Sequence, residues 1–326
     1  MIFYIISGVL FLSGAFLIII NLINNKRRKI NLIKRKWQNY AILIPARYEA
    51  KVIRDLLDSL KDQISSFKDT YIIVESENDE TVTIAKEYGA NIFIRTELEN
   101  RHRKGFALDE VLKEILKNKH YDLYFIFDAD NILDKDFIKE MLNSYNEGYD
   151  IAVAYRSIKN NINWVTTCSG LTFSMINTIF NKTNIKFNKS VIISGTGYYI
   201  SGEIIEKLGG FPFNSLTEDY ELSLYVEANH ISCTYNEKAI FYDEQPTSFK
   251  TSIKQRTRWV KGFFEARKKR AKELKDFSRI LGVTPYILMV IGAIIAVTTL
   301  AINLVINIIS NGNYPIYLFY LLLVIL

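Results

Sequence analysis

Tyr121-Asp122-Leu123-Tyr124-Phe125-Ile126-Phe127-Asp128-Ala129-Asp130 is the stretch on which the reading of this chain turns. The run over residues 121–127 is short and mostly apolar, as a buried strand is. It ends in two carboxylates one residue apart. Open α/β sheets place their ligands outside the C-terminal ends of their strands. Asp128 and Asp130 at such a lip can hold a divalent cation against a diphosphate, because Mg²⁺ and Mn²⁺ prefer oxygen ligands and are commonly bound by one or two carboxylates plus substrate phosphates. A solvated turn that carries two Asp would read the same in isolation, so the surrounding chain decides.

Upstream, residues 40–44, 71–74 and 92–95 read as further strands. Helical patterns alternate with them over 50–63, 80–88 and 104–117. The first helix carries Val52, Ile53, Leu56, Leu57 and Leu60 on one face, and the second stops at Gly89. Strand-helix alternation with short continuous apolar strands predicts a mostly parallel sheet covered on both faces, a Rossmann-like α/β half. No Gly-x-Gly-x-x-Gly follows the first strand; Ile44-Pro45-Ala46-Arg47-Tyr48-Glu49 stands there instead. A metal on Asp128 and Asp130 is the natural substitute for a phosphate-gripping glycine loop. Downstream the pattern is less regular. It gives a strand over 151–155, a long apolar helical stretch over 164–181, and the small-residue loop Ser194-Gly195-Thr196-Gly197. A helix over 220–228 follows, opened by Thr217-Glu218-Asp219 with Thr217 as N-cap.

Hydropathy predicts transmembrane α-helices at both ends. Residues 2–23 are almost wholly apolar, long enough for a hydrocarbon core that needs ~20 residues. Lys26, Arg27, Arg28, Lys29, Lys34, Arg35 and Lys36 follow directly, where a signal peptide would show a small-residue cleavage site. The positive-inside rule then leaves the N-terminus outside and the central domain cytosolic, in a protein of the plasma membrane. A second apolar stretch runs over 280–309 with a break expected at Pro285, and its upstream flank of Arg267–Arg270, Lys272 and Lys275 is again basic. Asn311-Gly312-Asn313 reads as an outer loop. The segment over 314–326 stops short of a crossing, which predicts a truncated end or one completed by a partner. The expected organisation is a transmembrane helix (1–24), a basic linker (25–39), the α/β domain (40–246), amphipathic interfacial helices (247–279) and C-terminal transmembrane segments (280–326).

The net charge of +6 lies mostly in these flanks, a membrane-lipid signal rather than a nucleic-acid one. Cys168 and Cys233 show neither zinc nor redox spacing, and a cytosolic domain would keep both reduced. His102, His120 and His230 lack ligand spacing and receive no role.

As a set, Ile44-Pro45-Ala46-Arg47-Tyr48-Glu49, Asp128-Ala129-Asp130, Thr217-Glu218-Asp219 and Gln255-Arg256-Thr257-Arg258-Trp259 resemble the processive, membrane-embedded glycosyltransferases of family 2, the cellulose, chitin, hyaluronan and poly-N-acetylglucosamine synthases. The resemblance covers residues 41–264 and implies a GT-A-type fold. It implies that Asp130 ligates the cation on the donor diphosphate and that Asp128 contributes to metal and nucleoside. Glu49 and Glu75 fall where the family holds uracil and ribose, and Lys104 where it places a lysine on the pyrophosphate. Asp219 matches the general base, with Glu218 beside it at the acceptor. Gln255, Arg258 and Trp259 share one helix face at i, i+3, i+4. Arg258 can grip a diphosphate, and Trp259 offers a flat surface to an acceptor sugar. Two departures stand out: Tyr48 replaces a small polar residue, and Glu75 stands where Asp is commoner.

These implications predict an inverting, metal-dependent transfer (Mg²⁺ or Mn²⁺) from a UDP-sugar to a growing polysaccharide. The alternatives are a single addition to a lipid-linked acceptor, or a catalytically silent nucleotide-binding subunit. An oligomer or partner subunit is compatible with each.

Overall fold

The computed structural model describes residues 2–23, 32–99, 102–186, 189–270 and 291–303. The chain divides into two compact units, Met1–Lys26 with Leu274–Leu326, and Arg27–Glu273. The helix α1 (Ile2–Ile23) belongs to the first. The second contains, among the described residues, eight strands in one sheet: β1 (Tyr40–Pro45), β2 (Thr70–Val74), β3 (Asn91–Ile94), β4 (Leu123–Ile126), β5 (Ile132–Leu133), β6 (Ile151–Ile158), β7 (Tyr198–Ser201) and β8 (Cys233–Asp243). Their spatial order is β3-β2-β1-β4-β7-β6-β8-β5. Its helices are α2 (Ile53–Lys61), α3 (Glu80–Glu87), α4 (Lys104–Ile115), α5 (Phe137–Asn146), α6 (Trp164–Met175), α7 (Lys182–Lys186), α8 (Gly202–Leu208), α9 (Glu218–Ala228) and α10 (Phe249–Arg270). A π-helical turn, Ile176–Asn181, joins α6 to α7.

The first half is the expected alternation. β3, β2, β1 and β4 are mutually parallel. Successive side chains on a strand point to opposite faces, so β1 sends Ile42 and Ile44 to a core with Leu56, Leu57, Phe125, Phe137 and Met141. It sends Ala41 and Leu43 to a second core with Leu108, Leu112, Tyr124, Ile205 and Leu222. Burial on both faces is why β1 and β4 read as continuous apolar runs.

The second half adds what the sequence pattern did not reveal. β7 lies antiparallel between β4 and β6, and β8 runs parallel to β6 with a register break at Ala154/Tyr155. The two-residue β5 pairs antiparallel with β8. α5 and α8 were likewise not anticipated. The 164–181 helix is present, with its last turn widened to π geometry. There the buried Asn177 donates to Arg156 O (2.9 Å), and Asn181 exchanges hydrogen bonds with the backbone of Ile192.

In the first unit, α1 packs against a helix over residues 291–303. Ser7 Oγ donates to Gly292 O (2.7 Å), and Asn303 Nδ2 donates to Tyr4 Oη (2.9 Å), so the two run antiparallel. A Cβ on Gly292 would lie 2.9 Å from Ser7 O, and a small residue is what such close backbone approach needs. Among the described residues no helix is long and apolar enough to cross a membrane. That departs from the crossing expected at 2–23. Of the stretch expected to cross at 280–309, only residues 291–303 are described, and its remainder lies outside the described residues. The expected break at Pro285, the loop Asn311-Gly312-Asn313 and the segment over 314–326 lie outside the described residues, as do Lys26 to Lys29, Lys272 and Lys275.

Candidate active site

The strand ends build the acidic centre. Asp128 and Asp130 follow β4, and Asp243 closes β8; ligand oxygens of the three lie within 4.8 Å of one another. Asn131 ties the two strand ends together, donating to Asp243 Oδ1 (2.9 Å) and accepting from the Asp128 N–H (3.2 Å). Thr196 Oγ1 accepts the same N–H at 2.8 Å and itself bonds Asn131. Arg156 Nε reaches Asp243 Oδ2 at 3.2 Å, while its Nη1 donates to Ser194 O at 2.7 Å. Burial, Asp243 and Asp128 push the Asp130 carboxyl up to about 7. Burial also raises Asp243, against the pull of Arg156. Three crowded carboxylates with an all-oxygen donor set fit a hard divalent cation, whose charge would relieve their repulsion.

The loop 194–197 joins this centre to a second. Lys104, the first residue of α4, pairs with Asp128 and donates to Gly195 O at 2.7 Å. Burial works against its ammonium, yet Asp128, Glu218 and Asp219 hold its pKa above the usual value. Gly105 is required beside it, since a Cβ there would lie 1.9 Å from Phe213 O. At the same loop, Asp219 Oδ2 lies 3.2 Å from the position of a Cβ on Gly195, which holds φ +88°. Asp219 Oδ1 accepts from the Tyr220 N–H at 2.8 Å.

Burial raises Asp219, opposed by that N–H and by Lys104. Burial and the neighbouring Asp219 push Glu218 up to about 8. Of the two, Asp219 is the one whose carboxylate accepts the Tyr220 N–H and reaches the loop at Gly195. Thr217 occupies the N-cap, but its hydroxyl makes no capping bond and has no partner among the described residues. Gly262 of α10 presses on it so closely that a Cβ would meet Thr217 Cγ2 at 2.5 Å.

α10 is laced across the start of α9. Glu265 accepts from Arg103 (2.7 Å) and from the Leu216 N–H (3.3 Å). Arg270 reaches the buried Glu221 at 3.2 Å. Arg258, exposed, extends to Leu216 O at 3.5 Å, two residues before Glu218 in the chain. Trp259 packs edge-on against Phe173 of α6 (6.2 Å between centroids), and Phe173 in turn lies 3.8 Å from the Arg156 guanidinium. Gln255 is half-buried one turn before Trp259.

Glu49 sits beyond β1 within electrostatic reach of Asp128; burial, Asp128, Asp79 and Glu244 raise its pKa. The preceding Tyr48 adopts φ +59° and is 70% exposed, with its N–H on Asp79 Oδ2 at 2.8 Å. Glu75 is engaged by two arginines, Arg47 at 3.2 Å and Arg95 at 3.5 Å, and by the His102 ring at 3.3 Å.

Asp128, Lys104 and Asp219 thus meet at one loop, with Asp130 beside Asp128, Glu218 within electrostatic reach of Lys104 and Glu49 within that of Asp128; Arg258 and Trp259 of α10 contact Leu216 and Phe173. Glu75 stands among Arg47, Arg95 and His102, the last a residue to which the sequence had lent no role. Asp243, Arg156, Asn131 and Thr196 were missed. For Asp243 a signal existed: like Asp128, it closes an apolar strand run, Ala239-Ile240-Phe241-Tyr242.

Residues 38–262 match the model of the family described as Glycosyltransferase like family 2. The chain is 27% identical over 229 residues to "Probable glycosyltransferase YdaM" of Bacillus subtilis (strain 168), covering 68% of this chain and 54% of that protein. It is 21% identical over 243 residues to the poly-beta-1,6-N-acetyl-D-glucosamine synthase of Staphylococcus epidermidis, covering 73% and 58%. It therefore spans a little over half the length of these relatives. Among solved structures, the mannosyltransferase PcManGT from Pyrobaculum calidifontis, in complex with GDP-Man and Mn²⁺, is similar at TM-score 0.63 and 13% identity over 99% of this chain and 96% of that one. S. aureus TarS 1-349 in complex with UDP-GlcNAc is similar at TM-score 0.51 and 15% identity, over 74% and 68%. At these identities the likeness is one of fold, a GT-A-like α/β arrangement.

Proposed function

This chain belongs to glycosyltransferase family 2, and from that premise we propose that it moves a sugar from a UDP-sugar onto a growing, membrane-associated polysaccharide with inversion at the anomeric carbon. The observation that carries the reading is the meeting of three groups at the loop 194–197: Lys104 pairs with Asp128 and donates to Gly195 O, and Asp219 Oδ2 lies beside the same glycine.

Asp219 takes the proton from the acceptor hydroxyl as that oxygen bonds the anomeric carbon. The bond from that carbon to the diphosphate breaks, and its electron pair leaves with the nucleoside diphosphate. Lys104 and Arg258 bind the diphosphate charge, and Glu49 orients the nucleoside. Trp259 and Gln255 offer a surface to the acceptor sugar, with Glu218 beside it. A divalent cation held by Asp128, Asp130 and Asp243 would supply further charge opposite the leaving diphosphate. Glu75, ion-paired as it is, acts on the ribose through one remaining acceptor position or by orienting Arg47.

The membrane setting is part of the same proposal. Its supports are the apolar segments with basic inner flanks and the antiparallel packing of α1 with residues 291–303. The deciding experiment incubates the full chain in vesicles with a panel of labelled UDP-sugars and sizes the product. A ladder of long chains supports the proposal, and a single added sugar assigns the non-processive reaction. UDP binding without transfer from any donor sinks the enzymatic reading.

A further inference from the structure

Two helices of the Arg27–Glu273 unit carry large apolar side chains that point away from both cores. On α10, Phe249, Ile253, Val260 and Phe264 are 57, 47, 56 and 63% exposed. On α6 and its π turn, Trp164, Leu171, Met175 and Ile179 are 64, 61, 49 and 54% exposed. Both sets follow spacings of 4, 7 and 11 residues, so each forms one stripe on its helix. The helices run side by side in the same direction: Trp164 lies 5.5 Å from Phe249, Arg256 reaches Ser169 at 3.5 Å, and Phe173 meets Trp259. Residues 164–181 contain no charged side chain at all. Residues 249–264 contain Lys250, Lys254, Arg256, Arg258 and Lys261 and no acid.

We propose that α6, with its π turn, is a lipid-docking element that lies together with α10 on an anionic bilayer surface. Charge complementarity selects this occupant: an uncharged apolar stripe beside the purely basic stretch 249–264 matches acyl chains next to anionic headgroups. An acidic protein partner would leave the α6 stripe without a charged counterpart. The inner face of α6 carries Phe173, which covers Arg156, the residue that holds Asp243 and Ser194. Docking therefore bears on the strand end that closes the acidic centre. The proposal rests on the membrane setting given above and adds an element to it.

Cys168, exposed on α6, and the buried Cys233 allow a direct test in the full chain. A nitroxide on Cys168 reports collision with oxygen, which concentrates in lipid, and with a water-soluble nickel chelate. In vesicles where phosphatidylglycerol replaces phosphatidylcholine, the oxygen-to-nickel ratio should rise by about threefold or more and fall back at ~1 M salt. Leu171→Glu with Met175→Glu should abolish the rise while the chain still floats with the vesicles. A label that stays in water at every lipid composition, in a chain that floats, overturns the α6 proposal and leaves the membrane setting intact. A ratio insensitive to anionic lipid and salt also overturns it. A chain that does not float removes the setting itself.

Discussion

Asp219 holds the backbone N–H of Tyr220 with one oxygen and turns the other toward Gly195. Asp219→Asn keeps an acceptor for that N–H and loses the base. Transfer should fall by about 10²–10⁴, while UDP affinity measured by calorimetry stays within about twofold. Neighbouring Glu218 gives a pH prediction. Its carboxyl is pushed from 4.5 up to about 8 in the folded chain, so the native state binds the proton more tightly than the unfolded state does. Its contribution to stability is therefore complete below about 4.5 and is lost as pH rises through about 8. Glu218→Gln, neutral throughout, should match the parent in urea unfolding near pH 4.5. At pH 8.5 it should exceed it by on the order of 2 kcal/mol. Tyr48, at φ +59°, is a third residue-scale case. A left-handed conformation costs an ordinary side chain ~1–2 kcal/mol, a penalty that Asn partly escapes. Tyr48→Asn should raise stability by roughly 0.5–1 kcal/mol, which urea unfolding would show. The sequence marked Tyr48 as a departure, but only the backbone angle supplies the reason.

At the scale of elements, legibility follows how local each element's partners are. β1 to β4 and α2 to α4 are readable because each strand is buried on both faces and each helix carries its own apolar stripe. β7 is four residues long, β5 only two, and β8 passes through the polar Asn236-Glu237-Lys238 before recovering an apolar run. Their identity as strands depends on remote partners, not on their own periodicity. α10 read as a helix suited to a membrane surface; what that reading did not contain is that one of its faces grips the start of α9. Gly262 is the pivot of that contact. Gly262→Ala would place a Cβ 2.9 Å from the Thr217 backbone nitrogen and force the helices apart. Overpacking of this kind costs ~1–3 kcal/mol, so the variant should unfold earlier in urea. Its kcat should fall more than its donor affinity, because the displaced segment carries Glu218 and Asp219 rather than the diphosphate carboxylates.

For the molecule as a whole, the decisive event is convergence at the C-terminal lip of the sheet. Asp243 meets Asp128 and Asp130 only because β8 pairs with β6 and Asn131 bridges the strand ends. Asp243→Asn should weaken Mn²⁺ binding, followed by the metal's electron paramagnetic resonance, by at least ~10-fold. Chelation should leave the fold standing, since the cores are apolar and lie on both faces of the sheet. Unchanged Mn²⁺ affinity would remove Asp243 from the donor set. By itself the sequence determined the parallel half of the sheet, the carboxylates at its lip and the acidic start of α9, because apolar periodicity and strand-end chemistry are written in near neighbours. The tertiary structure alone decided that Asp243 and Arg156 join the centre, that Glu75 is held by Arg47 and Arg95, and that burial raises both Glu218 and Asp219. Those outcomes depend on strand order, burial and the field of distant charges, none of which any short window of residues contains.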